Sequence, residues 1–490
     1  MKIAFDNTYA RELEGLYVRC TPARSPAPRW LRLNHGLAVE LGLEPVELDS
    51  PAGLAVLAGN VVPPGADPLA QAYAGHQFGG FSPRLGDGRA LLLGEVIDRA
   101  GRRRDIAMKG SGATPFSRGG DGKAAVGPVL REYLMGEAMY ALGIPTTRAL
   151  AAVATRAPVV REQVQPGAIL TRVAASHLRV GTFEFVAARQ DLPLLRRLAD
   201  YTIRRQEPHL ADAPDRHLRL LEAVIARQAD LIARWMSVGF LHGVMNTDNM
   251  AISGETLDYG PCAFLEHYDP RAVFSSIDNG GRYAFGSQPR VAQWNLARFA
   301  ETLLPLIDPD ETRAAELAST AVDGFAHLFE NRFGELLQSK LGLVGQDDAD
   351  RELAADYLKL LADHRVDFTL GFRRLNDAVA GDEAPLRVLF GKAAEALEPW
   401  LDRWRARVHR GVTDSAERLA VMARANPIYI PRNHRVEAAL AAAVEHGDLA
   451  PFQRLLEVLQ RPFDERAEDL AFAEPAPAAE TARYRTFCGT

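Results

Sequence analysis

The spacing of apolar residues changes character along the chain. Between about 86 and 174 the apolar pieces are short and bounded by turn residues, the signature of strands. Tyr73 to Ser82 is glycine-rich and aromatic and reads as a loop. Gly86-Asp87-Gly88-Arg89 reads as a turn opening the run Ala90-Leu91-Leu92-Leu93-Gly94-Glu95-Val96. A charged turn at 98–104 leads into a second strand, Asp105-Ile106-Ala107-Met108-Lys109. A glycine-rich loop covers Ser111 to Gly127. One helix is predicted at about 127–142, with Leu130, Leu134, Ala138 and Ala141 on one side and Gly143 past its end. Apolar pieces at 149–155, 158–161 and 167–174 complete a small sheet. From about 190 the apolar residues recur every three or four positions, as in Leu218, Leu221, Ile225, Leu231 and Trp235. Helices are therefore predicted at 192–206, 216–239, 290–306, 310–338, 350–362, 384–409, 435–446 and 450–459. Residues 1–70 read as irregular with one helix near 29–42, and 464–490 as a mobile tail. No repeat of solenoid period is present.

Composition narrows the class. A chain of 490 residues can bury a large core and divide into two or three domains or lobes, and 47% hydrophobic with 24% charged residues is ordinary for a globular protein. A net charge of −6 argues against a dedicated nucleic-acid binder. Arg102-Arg103-Arg104 reads as a solvated loop between strands. No apolar run reaches the length of about 18 residues that a membrane span needs, and Met1 to Asn7 holds no apolar signal core. Cys20, Cys262 and Cys488 are too few for a disulfide framework, so a reducing cytoplasm is expected.

The chemistry concentrates in Leu241-His242-Gly243-Val244-Met245-Asn246-Thr247-Asp248-Asn249, followed by Asp258-Tyr259-Gly260. This resembles the catalytic and metal-binding loops of protein kinases, H-R-D-L-x-x-x-N and D-F-G. His242 and Asn249 keep the spacing, but Val244 stands where the proton-accepting Asp belongs, and valine accepts no proton. Asp248, one residue before the Asn, offers a displaced carboxylate that either orients the attacking hydroxyl or braces the loop. Asn249 and Asp258 offer oxygen ligands of the kind magnesium prefers. Lys109 ends a strand, as the phosphate-binding lysine of a kinase does, and Glu132 or Glu137 on the following helix could pair with it. Glycine amides at Gly86 and Gly88, with Arg89, could approach phosphate oxygens. Gly119-Gly120-Asp121-Gly122 is equally a flexible connector or a nucleotide contact. Arg172 and Arg179 could grip a triphosphate or its leaving pyrophosphate.

Met108 to Arg118, His242 to Asn249 and Asp258 to Pro261 together resemble the selenoprotein O family, pseudokinase-fold protein adenylyltransferases. The resemblance runs from about residue 5 to the tail. It implies ATP bound in a flipped orientation and AMP passed to Ser, Thr or Tyr hydroxyls of proteins, with pyrophosphate released. It assigns nucleotide contacts to Gly86, Gly88, Arg89, Lys109, Asp121, Gly122, Arg172, Arg179 and Asp258. It assigns the proton acceptor to Asp248, the metal ligands (for Mg2+ or Mn2+) to Asn249 and Asp258, and the lysine-pairing role to Glu132, with Glu137 as the fallback. Some members pair a cysteine after D-Y-G with one near the C-terminus. Cys488 is kept here, but Ala272-Val273-Phe274-Ser275-Ser276 has no cysteine, which argues against that redox control.

The expected fold is α+β and two-lobed like a protein kinase. It comprises an extension over 1–70, a β-rich N-lobe over 71–190, a helical C-lobe over 191–345, a helical extension over 346–463 and the tail. The partners expected are ATP and protein substrates, without nucleic acid or membrane. Two rivals remain at this stage: a kinase acting on a protein or small molecule, which the valine at 244 counts against, and an inactive ATP-binding scaffold, which Lys109, Asn249 and Asp258 count against.

Overall fold

The computed structural model describes residues 3–345, 347–410 and 414–487, folded as mixed helix and antiparallel sheet. In chain order the strands are β1 (Tyr17–Arg19), β2 (Arg29–Leu33), β3 (Leu69–Gln71), β4 (Gly75–Gln77), β5 (Gly80–Ser82) and β6 (Ala90–Ile97). They continue as β7 (Arg103–Lys109), β8 (Ala124–Ala125), β9 (Arg148–Val160), β10 (Val164–Ala174), β11 (Phe240–Leu241) and β12 (Ala263–Phe264). The main sheet runs β1-β3-β6-β7-β10-β9-β2, with β8 paired to β10; β4 and β5 form a separate hairpin, and β11 pairs with β12.

The period of two in β6, β7 and β10 sends alternate residues to two cores. Leu91, Leu93, Ile106, Met108, Ile169 and Val173 pack with Leu37, Leu41, Leu48 and Val56 from the N-terminal segment. Leu92, Ala168 and Leu170 face the other way and join Leu130, Leu134 and Ala138 of the Val126–Ala141 helix in the core that continues through the helical part. Each such leucine, fully buried, contributes about 2 kcal/mol. Arg205, on the Leu192–Gln206 helix, ties sheet to helices by meeting Asp105 at 2.5 Å and Glu95 at 3.4 Å. Burial works against the Asp105 carboxylate, yet Arg205 and His177 hold its pKa at about 2.

Several expectations change. Arg29–Leu33 is a strand, not the start of a helix over 29–42: Leu31 and Leu33 alternate inward with period two, and β2 pairs with β9. The helix there is His35–Glu40, started by Asn34, whose side chain accepts from the Leu37 amide at 3.0 Å. The pieces at 149–155 and 158–161 are one strand, β9, with irregular register against β10. The 384–409 helix divides at Gly391 into Ala384–Phe390 and Glu398–Arg410. Arg103 and Arg104 belong to β7 instead of a solvated loop, and Arg103 reaches Glu95 at 3.2 Å and Asp6 at 2.7 Å. Helices at Phe368–Val379 and Ser415–Ala425 were not anticipated. Residues 464–487 carry the short helix Ala478–Arg483, and beyond it Thr486 pairs with the segment after D-Y-G. Its amide donates to Phe274 O at 2.8 Å, its carbonyl accepts from the Ser276 amide at 2.9 Å, and its hydroxyl donates to Pro261 O at 2.7 Å. Cys488 lies outside the described residues. No helix among the described residues is long and apolar enough to cross a membrane.

One buried cation supplies a stability test. Lys340 is fully enclosed; its ammonium donates to Ala425 O at 3.2 Å and lies 4.6 Å from the Phe372 ring centre. Burial lowers its pKa to about 7. The unfolded chain then holds a proton that the folded chain lacks between pH 7 and the ordinary lysine value, so stability rises with pH across that window. Below it the ammonium is charged and buried in full. Lys340→Met is expected to stabilise the fold by about 2 kcal/mol at pH 6, with the gain shrinking toward pH 10. Urea unfolding at the two pH values checks this, and an equal effect at both would contradict it.

Candidate active site

The register of the sheet gathers the cations. Leu170 of β10 stands opposite Lys109 of β7, and Arg172 opposite Ala107, so Lys109 and Arg172 emerge on one face, one pleat apart. The Val126–Ala141 helix crosses that face. Glu132 and Glu137 lie five residues apart, about 140° around a helix at 3.6 residues per turn, and so serve different partners. Glu132 meets Lys109 at 2.6 Å and Arg172 at 2.8 Å, whereas Glu137 meets Arg148 at 2.8 Å. The lysine-pairing glutamate is Glu132.

The opposing side comes from two loops after the Arg216–Ser237 helix. Asp258 has a left-handed backbone (φ 63), a conformation Asp tolerates better than most residues. Its carboxylate contacts Lys109 and lies 2.9 Å from Arg172. Burial alone would raise its pKa, but Arg172 and Lys109 hold it well below the usual carboxylate range. Arg131, from the Val126–Ala141 helix, fixes the same turn by donating to Gly260 O at 3.2 Å and Cys262 O at 2.6 Å. Asn249 donates from Nδ2 to Val244 O at 3.0 Å, which turns its amide oxygen the other way. His242 is a brace: burial lowers its pKa, Nε2 bonds to Leu257 O at 2.9 Å, and the ring stacks on Trp235. Val244 is buried.

Asp248 is buried as well. Gln77 donates to its Oδ2 at 3.2 Å, and Arg179 donates to its backbone carbonyl at 3.0 Å. Oδ1 has no hydrogen-bond partner among the described residues. Burial, opposed by Arg179 and by the Gln77 bond, pushes the carboxyl up to about 6.

These groups share one cavity of about 530 Å³. Gly86, Gly88, Arg89, Lys109, Asp121, Gly122, Arg172, Arg179, Asp248, Asn249 and Asp258 all line it. Gly86 has φ 76, and a side chain there would run into Phe116 at 2.3 Å, so its glycine lets the two glycine-rich loops close on each other. Asp121 is held by a bidentate Arg161 at 3.0 Å, so the 119–122 stretch is tethered. A larger cavity, of about 990 Å³, adjoins behind Lys109 and Glu132, but neither Asp248, Asn249 nor Asp258 lines it.

The oxygen donors of Asn249 and Asp258 suit a hard divalent cation. Among the described residues no group of three or more His, Cys, Asp or Glu side chains could hold a metal alone.

A family model described as "Protein adenylyltransferase SelO" matches residues 1–460. The chain belongs to the SelO family. Among its relatives is "Protein nucleotidyltransferase YdiU" of Cereibacter sphaeroides strain KD131, 61% identical over 491 residues and covering 100% of both chains. Proteins of the same name from Methylorubrum populi (57% over 494 residues) and Rhodopseudomonas palustris strain HaA2 (55% over 488 residues) cover 99% of each chain. This SelO member is therefore a nucleotidyltransferase with ATP as its substrate. Sequence reading missed Arg161, which only a long-range ion pair reveals, and Gln77. The glycine-aromatic segment around Gln77 carries no motif that points to chemistry.

Proposed function

We propose that the chain transfers AMP from ATP to Ser, Thr or Tyr hydroxyls of proteins through the residues around Asp248 and Asp258. The observation that carries this assignment is the Asp248 carboxylate, which bears an unpaired buried oxygen in the same cavity as Lys109, Arg172 and Asp258, while the kinase position holds Val244. The acceptor oxygen attacks the α-phosphorus and its proton passes to Asp248. The bond from the α-phosphorus to the bridging oxygen breaks, and pyrophosphate leaves. Lys109, Arg89, Arg172 and Arg179, with the backbone around Gly86, Gly88 and Gly122, stabilise the negative charge that develops. Asp121 holds the second glycine loop against the nucleotide. Magnesium or manganese bound by Asn249 and Asp258 would neutralise phosphate oxygens as a Lewis acid. Glu132 keeps Lys109 extended into the cavity.

The same reading takes the sheet and the Val126–Ala141 helix as a kinase-like small lobe within 71–190, and the helices of 191–345 as the large lobe. Residues 1–70 and 346–463 are extensions around that pair. A cytoplasmic location fits the sparse cysteines, and neither nucleic acid nor membrane enters the reaction.

With ATP labelled at the α-phosphate, acceptor protein is expected to carry the label and gain the mass of AMP. With ATP labelled at the γ-phosphate, protein stays unlabelled and pyrophosphate carries the count. Transfer of γ-label to protein would overturn the assignment in favour of a kinase.

A further inference from the structure

The β4–β5 hairpin is clasped to the catalytic loop at Asn246, Thr247 and Asp248. The His76 amide donates to the Thr247 hydroxyl at 2.7 Å, and Glu184 joins the two, meeting His76 Nδ1 at 2.5 Å and the Thr247 hydroxyl at 2.5 Å. The Phe78 amide donates to Asn246 Oδ1 at 3.1 Å and to the Tyr283 hydroxyl at 3.2 Å. Gln77, between them, holds Oδ2 of Asp248 and leaves Oδ1 as the buried oxygen without a partner among the described residues. The fit is close, because a side chain at Gly75 would meet that Oδ1 at 2.8 Å.

The hairpin also carries strain with an outward result. Phe78 has φ 52, an unfavourable backbone for a bulky residue, and such outliers persist where surrounding contacts impose them. Its ring is 41% exposed, stands edge-on to Tyr283 at 5.1 Å and lines the cavity mouth together with Ile277, which is 46% exposed. Two exposed apolar side chains thus flank the opening that leads to Asp248.

We propose that the Gly75–Ser82 hairpin organises the acceptor side of the reaction: Gln77 aims the Asp248 carboxylate, and Phe78 with Ile277 forms an apolar wall for the polypeptide segment carrying the acceptor hydroxyl. This rests on the assignment of Asp248 as proton acceptor. The wall selects hydroxyl residues with an apolar neighbour, since a basic neighbour would lose water against the two apolar side chains and face the Arg282 guanidinium, which lies 3.6 Å from where a side chain at Gly79 would begin. Gln77 is a positioning residue: its amide bonds to one carboxylate oxygen of Asp248 and so fixes which oxygen is free.

The test uses the full chain with α-labelled ATP and a peptide library holding a fixed Ser, Thr or Tyr among degenerate neighbours. The wild type is expected to label peptides with an apolar residue beside the hydroxyl. Phe78→Ser should lose that preference and raise the peptide KM about tenfold, with the ATP dissociation constant unchanged. Gln77→Ala should lower kcat about tenfold, as loss of a hydrogen bond to a charged group does, with KM for ATP and peptide and the unfolding midpoint held. Gln77→Glu, facing a carboxylate with a carboxylate, should lower kcat further. Labelling by the wild type without an apolar preference, or the same preference in Phe78→Ser, overturns the wall. Wild-type kcat in Gln77→Ala alongside an inactive Asp248→Ala overturns the positioning role alone. An active Asp248→Ala overturns the assignment beneath it.

Discussion

Asp258→Ala is expected to abolish AMP transfer, lowering kcat by more than about 10³-fold, while ATP still binds. Asp258 is where the two halves of the cavity meet: Lys109 and Arg172 from the sheet both reach its carboxylate. Removing it leaves those cations with Glu132 and, on the proposed assignment, takes the anionic partner of Asn249 from the divalent-ion site. The glycine loops, Arg89 and Arg179 remain, so affinity for ATP should fall far less than turnover. Calorimetric titration with ATP and transfer of α-label separate the two effects. Near-normal turnover of Asp258→Ala in magnesium would remove Asp258 from the site.

Asp248→Ala is expected to lower kcat by about 10²–10⁴-fold, the usual share of a general base, with little change in ATP affinity. The sharper variant is Asp248→Asn. It keeps the shape and an oxygen for the Gln77 bond but accepts no proton, so it should fall nearly as far as alanine. If asparagine restored most of the wild-type rate, Asp248 would be bracing the loop, and Arg179, which holds its backbone carbonyl, would become the more interesting residue.

What the sequence made legible follows the range of the interactions. The pattern Lys109, then a glutamate-bearing helix, then Asn249 and Asp258 depends on local spacing, and all of these come together. The choice between Glu132 and Glu137 depends on which face of one helix meets the sheet, and the residues alone could rank them but not decide. Arg29–Leu33 was misread because three large apolar residues in five fit either a helix face or an edge strand; its pairing with β9, about 120 residues on, settles the matter through hydrogen bonds that no local pattern encodes. Gln77 was invisible for a similar reason. A glutamine in a glycine-rich segment has no signature, and its meaning comes from a partner 171 residues away.

The pairing of Thr486 with Pro261 joins positions 225 residues apart, and the Phe274–Ser276 segment is held with it. During synthesis the D-Y-G turn leaves the ribosome long before the segment around Thr486 that pairs beside it. At about 5–20 residues per second, the nascent chain spends roughly 10–45 s with Lys109, the glycine loops, Asp248 and Asp258 all translated and this contact still missing. A polypeptide released early, short of residue 486, would carry every residue proposed for the reaction centre and lack the clasp on its D-Y-G turn. The fold thus leaves this contact on the D-Y-G turn to be made late in synthesis.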